Sequence, residues 1–570
     1  LTIQSMEKEQ RTDEFMLPMR DGVNLHSRIV YPKGFDSSKT YTTIVDRSPY
    51  GYLGLEWMID LFLPYGFVTI GQDMRGTQTS EGDFSIWHSD ANDSQDLGDW
   101  IVQQEWSNGI VYSFGASADG LGAFTMPENN PSWLEAQYMV WSSSTGYDVI
   151  FPNGAYLQAL AEMWIDGTVP DDAESSLATI VANEARTDWW DPLDLTGKFN
   201  LVHAKSGFWA GWYDIFLVGN LHAYNGYNYE SDESVRYTSK LLIDPLGHCQ
   251  DAAEYFPNDL IMGRTLLGLA QAYEVFGVRP VVRNNIQNIT FYVMSSNDDA
   301  GLSAGQYWTT MEKFPTPTMT DFYLHSDGSA SLIKPSVTEK LSSSYVYDPS
   351  NPVPTVGGNN LAIPCGPLDQ SEVDSRSDVL TFTTSTFSNE LALTGPLYVT
   401  LFVSSDAIDT DFTVKISDVY PTGEVRLLQD SAIRMRWRQG GLTPVYMESN
   451  EIYEVTLSLW NTSYVVASGH ALRFSISSSN YPRFSVNRNN GILLSEDDQG
   501  DMIVANNVIY HSFKYASYVS LPVVNKRLQL PKVHDIKAEV ERAYPDVDFE
   551  KMVNIVKEHP EVFQGIFTKQ

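Results

Sequence analysis

The sequence predicts an open α/β sheet with a helical segment inserted between two of its strands, followed by an all-β sandwich and a short helical tail. Three observations predict it. Residues 14 to 145 alternate short apolar strands with helix-like or glycine-rich segments, the signature of an α/β sheet. Residues 146 to 197 place apolar residues three and four apart, which is helical spacing. Beyond about residue 280 the chain is a run of short strands bounded by Gly, Pro, Asn or Asp, as in a β-sandwich.

Taken in order, the first region holds "LHSRIVYP", "YTTIVDRSPYG", "FVTIGQDMRG", "IVYSFGAS" and "AQYMVWSSS". The insertion holds "AYLQALAEMW" and "SSLATIVANEARTDWW" and reads as a cap. The sheet pattern returns in "LVHAKSGFWAGWYD" and "YTSKLLIDPLGH", and "LIMGRTLLGLAQAYEVF" closes it as a helix. The sandwich strands are read as "NITFYVMSS", "TDFYLHS", "LYVTLFVSS", "DFTVKISDVY", "IYEVTLSLW" and "LRFSISSS". The expected division is thus 1–145 with 198–279 for the sheet domain, 146–197 for the cap, 280–526 for the sandwich and 527–570 for an amphipathic tail whose apolar face must dock.

At 570 residues the chain exceeds one ordinary core. Its 37 Lys plus Arg against 72 Asp plus Glu give a charge of −35, which repels nucleic acid and anionic membrane alike. No run of about eighteen apolar residues spans a bilayer, and the opening residues carry no signal-peptide pattern. The chain starts on Leu rather than Met, and Asn92, Asn288 and Asn461 head glycosylation sequons, so a processed, secreted or lumenal protein is expected. Two cysteines, Cys249 and Cys365, are too few for a disulfide framework or a zinc cluster. Either they pair, tying distant regions together, or both are buried thiols.

The chemistry starts from "GIVYSFGASADGLGAF", where strand-like residues lead into a glycine-bracketed Ser117. A serine hydroxyl needs a base, a carboxylate to orient that base, and donors for the developing oxyanion. On an α/β sheet these follow strand ends in the order Ser, Asp, His. Ser117, Asp214 in "AGWYDIF" and His248 in "LLIDPLGHC" occupy that order. Taken singly, each has a plainer reading: a turn serine, a helix-capping aspartate, a core or surface histidine.

The chain resembles the serine hydrolase family of cocaine esterase, α-amino-acid ester hydrolases, glutaryl acylases and X-Pro dipeptidyl-peptidases. The resemblance rests on "RSPYG" (47–51), "DMRGTQTSEGDF" (73–84), "DLGDWIVQQEWSNGIVYSFGASADG" (96–120), "GWYD" (211–214) and "PLGH" (245–248). In the β region it rests on "YDPSNPVPTVGG", "CGPLDQ", "RSDVLTFTT", "SSDAIDTDFTVKISDVYPTGEV" and "GHALRFSISSSNYPRF". It implies an α/β-hydrolase domain with a helical cap and a C-terminal jelly roll. It implies further that Ser117 is the acylated nucleophile, His248 the general base and Asp214 its orienting carboxylate. The oxyanion donors would be the Tyr50 hydroxyl and the Ala118 backbone N–H, and no metal or organic cofactor is needed.

Departures from the family pattern sharpen the expectation. Ala118 and Asp119 follow the nucleophile where the family has tyrosine first, and the histidine loop "DPLGHC" lacks the family's tryptophan. Phe216 and Leu217 stand where the amino-acid ester hydrolases carry a carboxylate pair for the substrate ammonium. An apolar wall cannot neutralise an amine. An uncharged acyl group is therefore expected, with Trp87, Trp164, Trp212 and Phe216 as candidate contacts, although core packing serves equally for such aromatics. Asp409, Asp411 and Asp418 lack calcium-loop spacing and are expected in ion pairs with arginines such as Arg434 or Arg473. The partners expected are a small ester or amide or a short peptide, with a homo-oligomer left open. The rival readings are an X-Pro dipeptidyl-peptidase, an acylase, and a catalytically silent secreted structural or adhesion protein.

Overall fold

The computed structural model describes residues 11–51, 61–257, 260–278, 286–296, 305–524, 532–533, 536–543 and 550. The first sheet is built from β1 (Thr12–Pro18), β2 (Asn24–Val30), β3 (Tyr41–Ser48), β4 (Val68–Asp73), β5 (Ser107–Ala116), β6 (Leu134–Val140), β7 (Lys205–Gly211), β8 (Lys240–Asp244), β9 (Ile289–Ser295) and β10 (Tyr307–Met311). Its spatial order is β1-β2-β4-β3-β5-β6-β7-β8-β9-β10. From β4 to β9 all neighbours are parallel, and an antiparallel pair closes each edge.

Parallel strands covered on both faces must be apolar almost throughout. Ile44, Ile70, Met139, Phe208 and Leu242 are accordingly buried. The covering helices are α1 (Asp90–Val102), α2 (Ala118–Thr125), α5 (Leu217–Tyr229) and α6 (Leu260–Val275). The insertion contributes α3 (Gln158–Thr168) and α4 (Ala173–Ala182) with several short 3₁₀ turns. Leu160, Ala161, Trp164 and Ile165 of α3 form one core with Trp87, Ala118 and Phe216 of the sheet domain and Leu361, Ala432 and Phe484 of the β domain. The cap is thereby seated over the strand ends and against both other parts of the chain.

The β domain comprises β11 (Thr318–Leu324), β12 (Ser329–Ser331), β13 (Ser342–Tyr347), β14 (Leu380–Thr384), β15 (Leu391–Ser405), β16 (Asp411–Val419), β17 (Val425–Arg434), β18 (Tyr453–Val466), β19 (Ala471–Ser477), β20 (Ala505–Tyr510) and β21 (Tyr518–Val523). One layer runs β12-β14-β19-β16-β17, and the other gathers β11, β13, β18, β20 and β21 around the long β15. The two layers face each other through alternating apolar residues such as Val414, Ile416, Phe474 and Leu401.

One placement corrects the sequence reading. Strand β9, "NITFYVMSS", was expected to open the sandwich at 280, yet it pairs in parallel with β8 and, with β10, extends the first sheet. At its far end Met294 and Ser295 also pair with Tyr464 and Val465 of β18, so β9 belongs to both layers of the molecule. Of the tail, β22 (Lys532–Val533) adds to β10, and α7 (Ile536–Ala543) packs on α6 with Val540 fully buried. Residues 544–549 and 551–570 lie outside the described residues.

Candidate active site

Because β3, β5, β7 and β8 run parallel, their C-terminal ends deliver Tyr50, Ser117, Asp214 and His248 to one edge of the sheet. Ser117 lies between β5 and α2 with φ 58° and ψ −122°, a conformation unfavourable to a residue bearing Cβ. Its N–H donates to the Val140 carbonyl at 2.9 Å, and its carbonyl accepts from Leu121 at 3.2 Å. The tight turn demands glycine at 120, where a Cβ would lie 2.5 Å from that of Ser142. The Gly-x-Ser-x-x-Gly run is thus a steric requirement of the elbow.

Asp214 and His248 are joined by a buried pair of hydrogen bonds. Asp214 Oδ2 accepts from His248 Nδ1 at 2.6 Å and from its backbone N–H at 2.7 Å, while Oδ1 accepts from the Phe216 N–H at 2.8 Å. The carboxylate fixes the tautomer with the proton on Nδ1, so that Nε2 carries the lone pair a base needs. That nitrogen is buried and makes no hydrogen bond among the described residues. The approach is so close that a Cβ on Gly247 would lie 2.2 Å from Asp214 Oδ2, which accounts for the glycine of "PLGH". No hydrogen bond links Ser117 to His248; contacts of this type commonly tighten only once substrate is bound. Phe216 joins the two halves, lining the pocket beside Ser117 and standing edge-on to the imidazole at 5.6 Å.

The Tyr50 hydroxyl accepts the indole N–H of Trp164 at 2.7 Å and interacts with the Ser117 hydroxyl. Burial, reinforced by Asp119, raises its pKa above that of an ordinary phenol, so it stays a proton donor. With the lone pair engaged by Trp164, its O–H is left to point at an oxyanion. Ala118 opens α2, where the first N–H groups of a helix have no partner within it. Its carbonyl accepts the Trp87 indole N–H at 3.1 Å. Tyr50→Phe is expected to lower kcat by roughly 100-fold with little change in KM, as loss of one oxyanion donor does; steady-state kinetics on an aryl ester would check it.

Asp119, the residue out of keeping with the family pattern, is turned inward. Its carboxyl accepts from Ser48, whose Oγ accepts the Tyr50 N–H at 3.1 Å. Burial, then the nearby Asp46, holds its pKa well above the usual carboxylate range. Burial likewise pushes Asp46 up to about 7. The raised proton affinity of both carboxyls weakens the negative charge near the oxyanion position.

A pocket of about 860 Å³, its open mouth included, adjoins Ser117. Its walls near the serine are Ile86, Trp87, Leu121, Trp164, Phe216 and Leu361. Trp87 and Trp164 stack with centroids 5.2 Å apart. Glu128 and Asp194 also reach the lining, but Lys198 holds the first at 2.7 Å and Arg186 the second at 3.5 Å. Trp212 is a correction: it is 1% exposed, donates to the Tyr292 carbonyl at 2.8 Å and packs on Phe291, so it is core and not a substrate contact.

The sequence is similar to two family models. Residues 21–176 match that of the X-Pro dipeptidyl-peptidase (S15 family), and residues 285–520 that of the X-Pro dipeptidyl-peptidase C-terminal non-catalytic domain. Cocaine esterase of Rhodococcus sp. is 27% identical over 90% of this chain and 98% of its own. The chain belongs to the serine hydrolase family of cocaine esterase and the X-Pro dipeptidyl-peptidases. Among solved structures, an α-amino acid ester hydrolase shares the fold with a TM-score of 0.76 at 22% identity, covering 92% of this chain and 98% of its own. An aminopeptidase from a marine sediment Thaumarchaeota archaeon gives 0.77 at 19% identity over the same shares. Like its relatives, the chain is a serine hydrolase of esters or peptides.

Several supports of this family site were not read from the sequence. Asp244 Oδ1 accepts the N–H groups of Leu246 (2.6 Å) and Gly247 (2.8 Å), while Oδ2 accepts the Trp209 indole at 2.6 Å, pinning the histidine loop. Trp141 stands 5.5 Å from the imidazole, and the Arg264 guanidinium lies 5.1 Å over the Trp141 ring. The "LLIDP" run placed Asp244 at a strand end, the one signal that could have singled it out. Elsewhere Asp411 pairs with Arg434 at 2.9 Å as expected, Asp409 with Arg436 at 2.9 Å and Asp418 with His470 at 2.8 Å, whereas Arg473 pairs with Asp374. The structure bonds Cys249 to Cys365. Asn92 is exposed on α1 and Asn288 half-buried beside Lys240, but Asn461 lies within β18 with Thr462 and Ser463 fully buried, a poor glycan acceptor.

Proposed function

We propose that this hydrolase acts on esters of apolar, uncharged acyl groups through an acyl-Ser117 intermediate. Ser117 Oγ attacks the ester carbonyl while His248 Nε2 takes its proton, and Asp214 stabilises the imidazolium that results. Tyr50 O–H and Ala118 N–H receive the oxyanion. His248 then returns the proton to the departing alkoxide, and water repeats the sequence on the acyl-enzyme. The observation that carries the substrate class is the wall next to the serine: Phe216 lines it, Leu217 is fully buried, and the two carboxylates of the lining are already paired with Lys198 and Arg186. A substrate ammonium placed there would lose its hydration without a free counter-ion, at a cost of several kcal/mol. The test compares kcat/KM for matched 4-nitrophenyl esters of butyric acid and 2-aminobutyric acid, and for an Xaa-Pro anilide. Preference for butyrate by about 100-fold is expected; faster cleavage of the amino ester or the anilide would overturn the assignment.

A further inference from the structure

The Asp214–His248 pair is held from outside its own domain, by one loop of the β domain. Residues 357–366 close on themselves through reciprocal backbone hydrogen bonds between Gly358 and Gly366, both 2.9 Å, and Asn360 braces the interior by donating to the carbonyls of Gly357 (2.8 Å) and Pro364 (2.9 Å). From this ring Asn359, 1% exposed, donates its amide to the carbonyls of Trp212 and Asp214, each at 3.0 Å. At the other end Cys365 is bonded to Cys249, the residue after His248. Gly366 sits so close to the histidine loop that a Cβ would lie 2.5 Å from that of Ala252. Between these anchors Leu361 reaches the acyl pocket.

We propose that loop 357–366 is a clasp that sets the Asp214–His248 pair in position against Ser117, with Asn359 and the Cys249–Cys365 bond as its two positioning contacts. The inference rests on the roles assigned above to those three residues. The physical case is one of tolerance. A base displaced by an ångström costs on the order of 100-fold in rate, and both partners lie in loops, the most mobile class of backbone. Asp214 has its side chain spent on His248 and Phe216, and its backbone is held by its N–H on the Gly211 carbonyl at 3.1 Å, by the Leu217 N–H on its carbonyl at 3.3 Å and, from the β domain, by Asn359 at 3.0 Å. His248 follows a glycine at φ +56°, and the disulfide restrains the chain immediately after it. Gln429 supplements the first anchor by donating to the Trp212 carbonyl at 2.8 Å.

The experiment measures Asn359→Ala and the double variant Cys249→Ser/Cys365→Ser on 4-nitrophenyl butyrate, with kcat referred to sites titrated by a fluorophosphonate so that unfolded protein does not count. Expected are a fall in kcat of about 10- to 100-fold with KM within about twofold. Unchanged kcat per titrated site would overturn the clasp, as would a rise in KM alone, which would make the loop only a pocket wall. Should the double variant fail to fold, Asn359→Ala decides by itself. If the parent enzyme neither labels at Ser117 nor turns over the ester, the functional reading fails instead, a result separate from parent activity with indifferent variants.

Discussion

His248→Ala is expected to reduce ester turnover and fluorophosphonate labelling of Ser117 together, by on the order of 10⁵-fold. Both reactions need the serine proton removed, and His248 Nε2 is the nitrogen the Asp214 carboxylate leaves unprotonated. Ser117→Ala should be as damaging as Ser117→Ala combined with His248→Ala, because members of one proton-transfer unit do not act additively. Asp214→Asn should fall less far in binding than in rate: an amide in that place favours the wrong tautomer while leaving the pocket intact. Mass spectrometry of the labelled protein and kcat on an aryl ester check the set. Normal labelling of His248→Ala would remove the imidazole from the mechanism.

Asp46→Asn is expected to stabilise the protein increasingly as pH rises from about 4 to about 7. In the unfolded chain an aspartate loses its proton near 3.9, whereas burial holds Asp46 up to about 7 when folded. Between those values the folded state retains a proton that the unfolded state has released, so folding stability declines with rising pH. Above about 7 the deficit is complete, on the order of 4 kcal/mol at about 1.4 kcal/mol per pH unit. The asparagine cannot ionise and escapes it. Thermal melts at pH 5 and pH 8 should show the gap between variant and parent widening at the higher pH; parallel curves would contradict the buried, protonated state.

The sequence made the order of sheet elements legible because parallel strands buried on both faces are apolar runs that no surface segment imitates. The elbow was legible for a related reason: only small residues fit at 115 and 120, and such constraint leaves a mark. Asp214 and His248 were legible through position at strand ends. Trp212 was misplaced because its neighbours "GWYD" mark a site loop, while the backbone turns its indole back toward Tyr292. Strand β9 reads as a sandwich strand alone because a short apolar strand carries the same pattern in either sheet, and it pairs in both. The Asp46–Asp119 pairing and the Asn359 contacts join residues distant in sequence, and nothing local to "VDRS", "SADG" or "GGNN" announces them.

The dual pairing of β9 has a bearing on how the molecule comes apart. A strand zipped to β8 along one edge and to β18 at its tip leaves no clean seam at which the chain can be divided. Cutting before it strips the catalytic half of a border, and cutting after it takes a staple from the sandwich. The two halves should therefore melt as one cooperative body, and neither is an independent module for grafting.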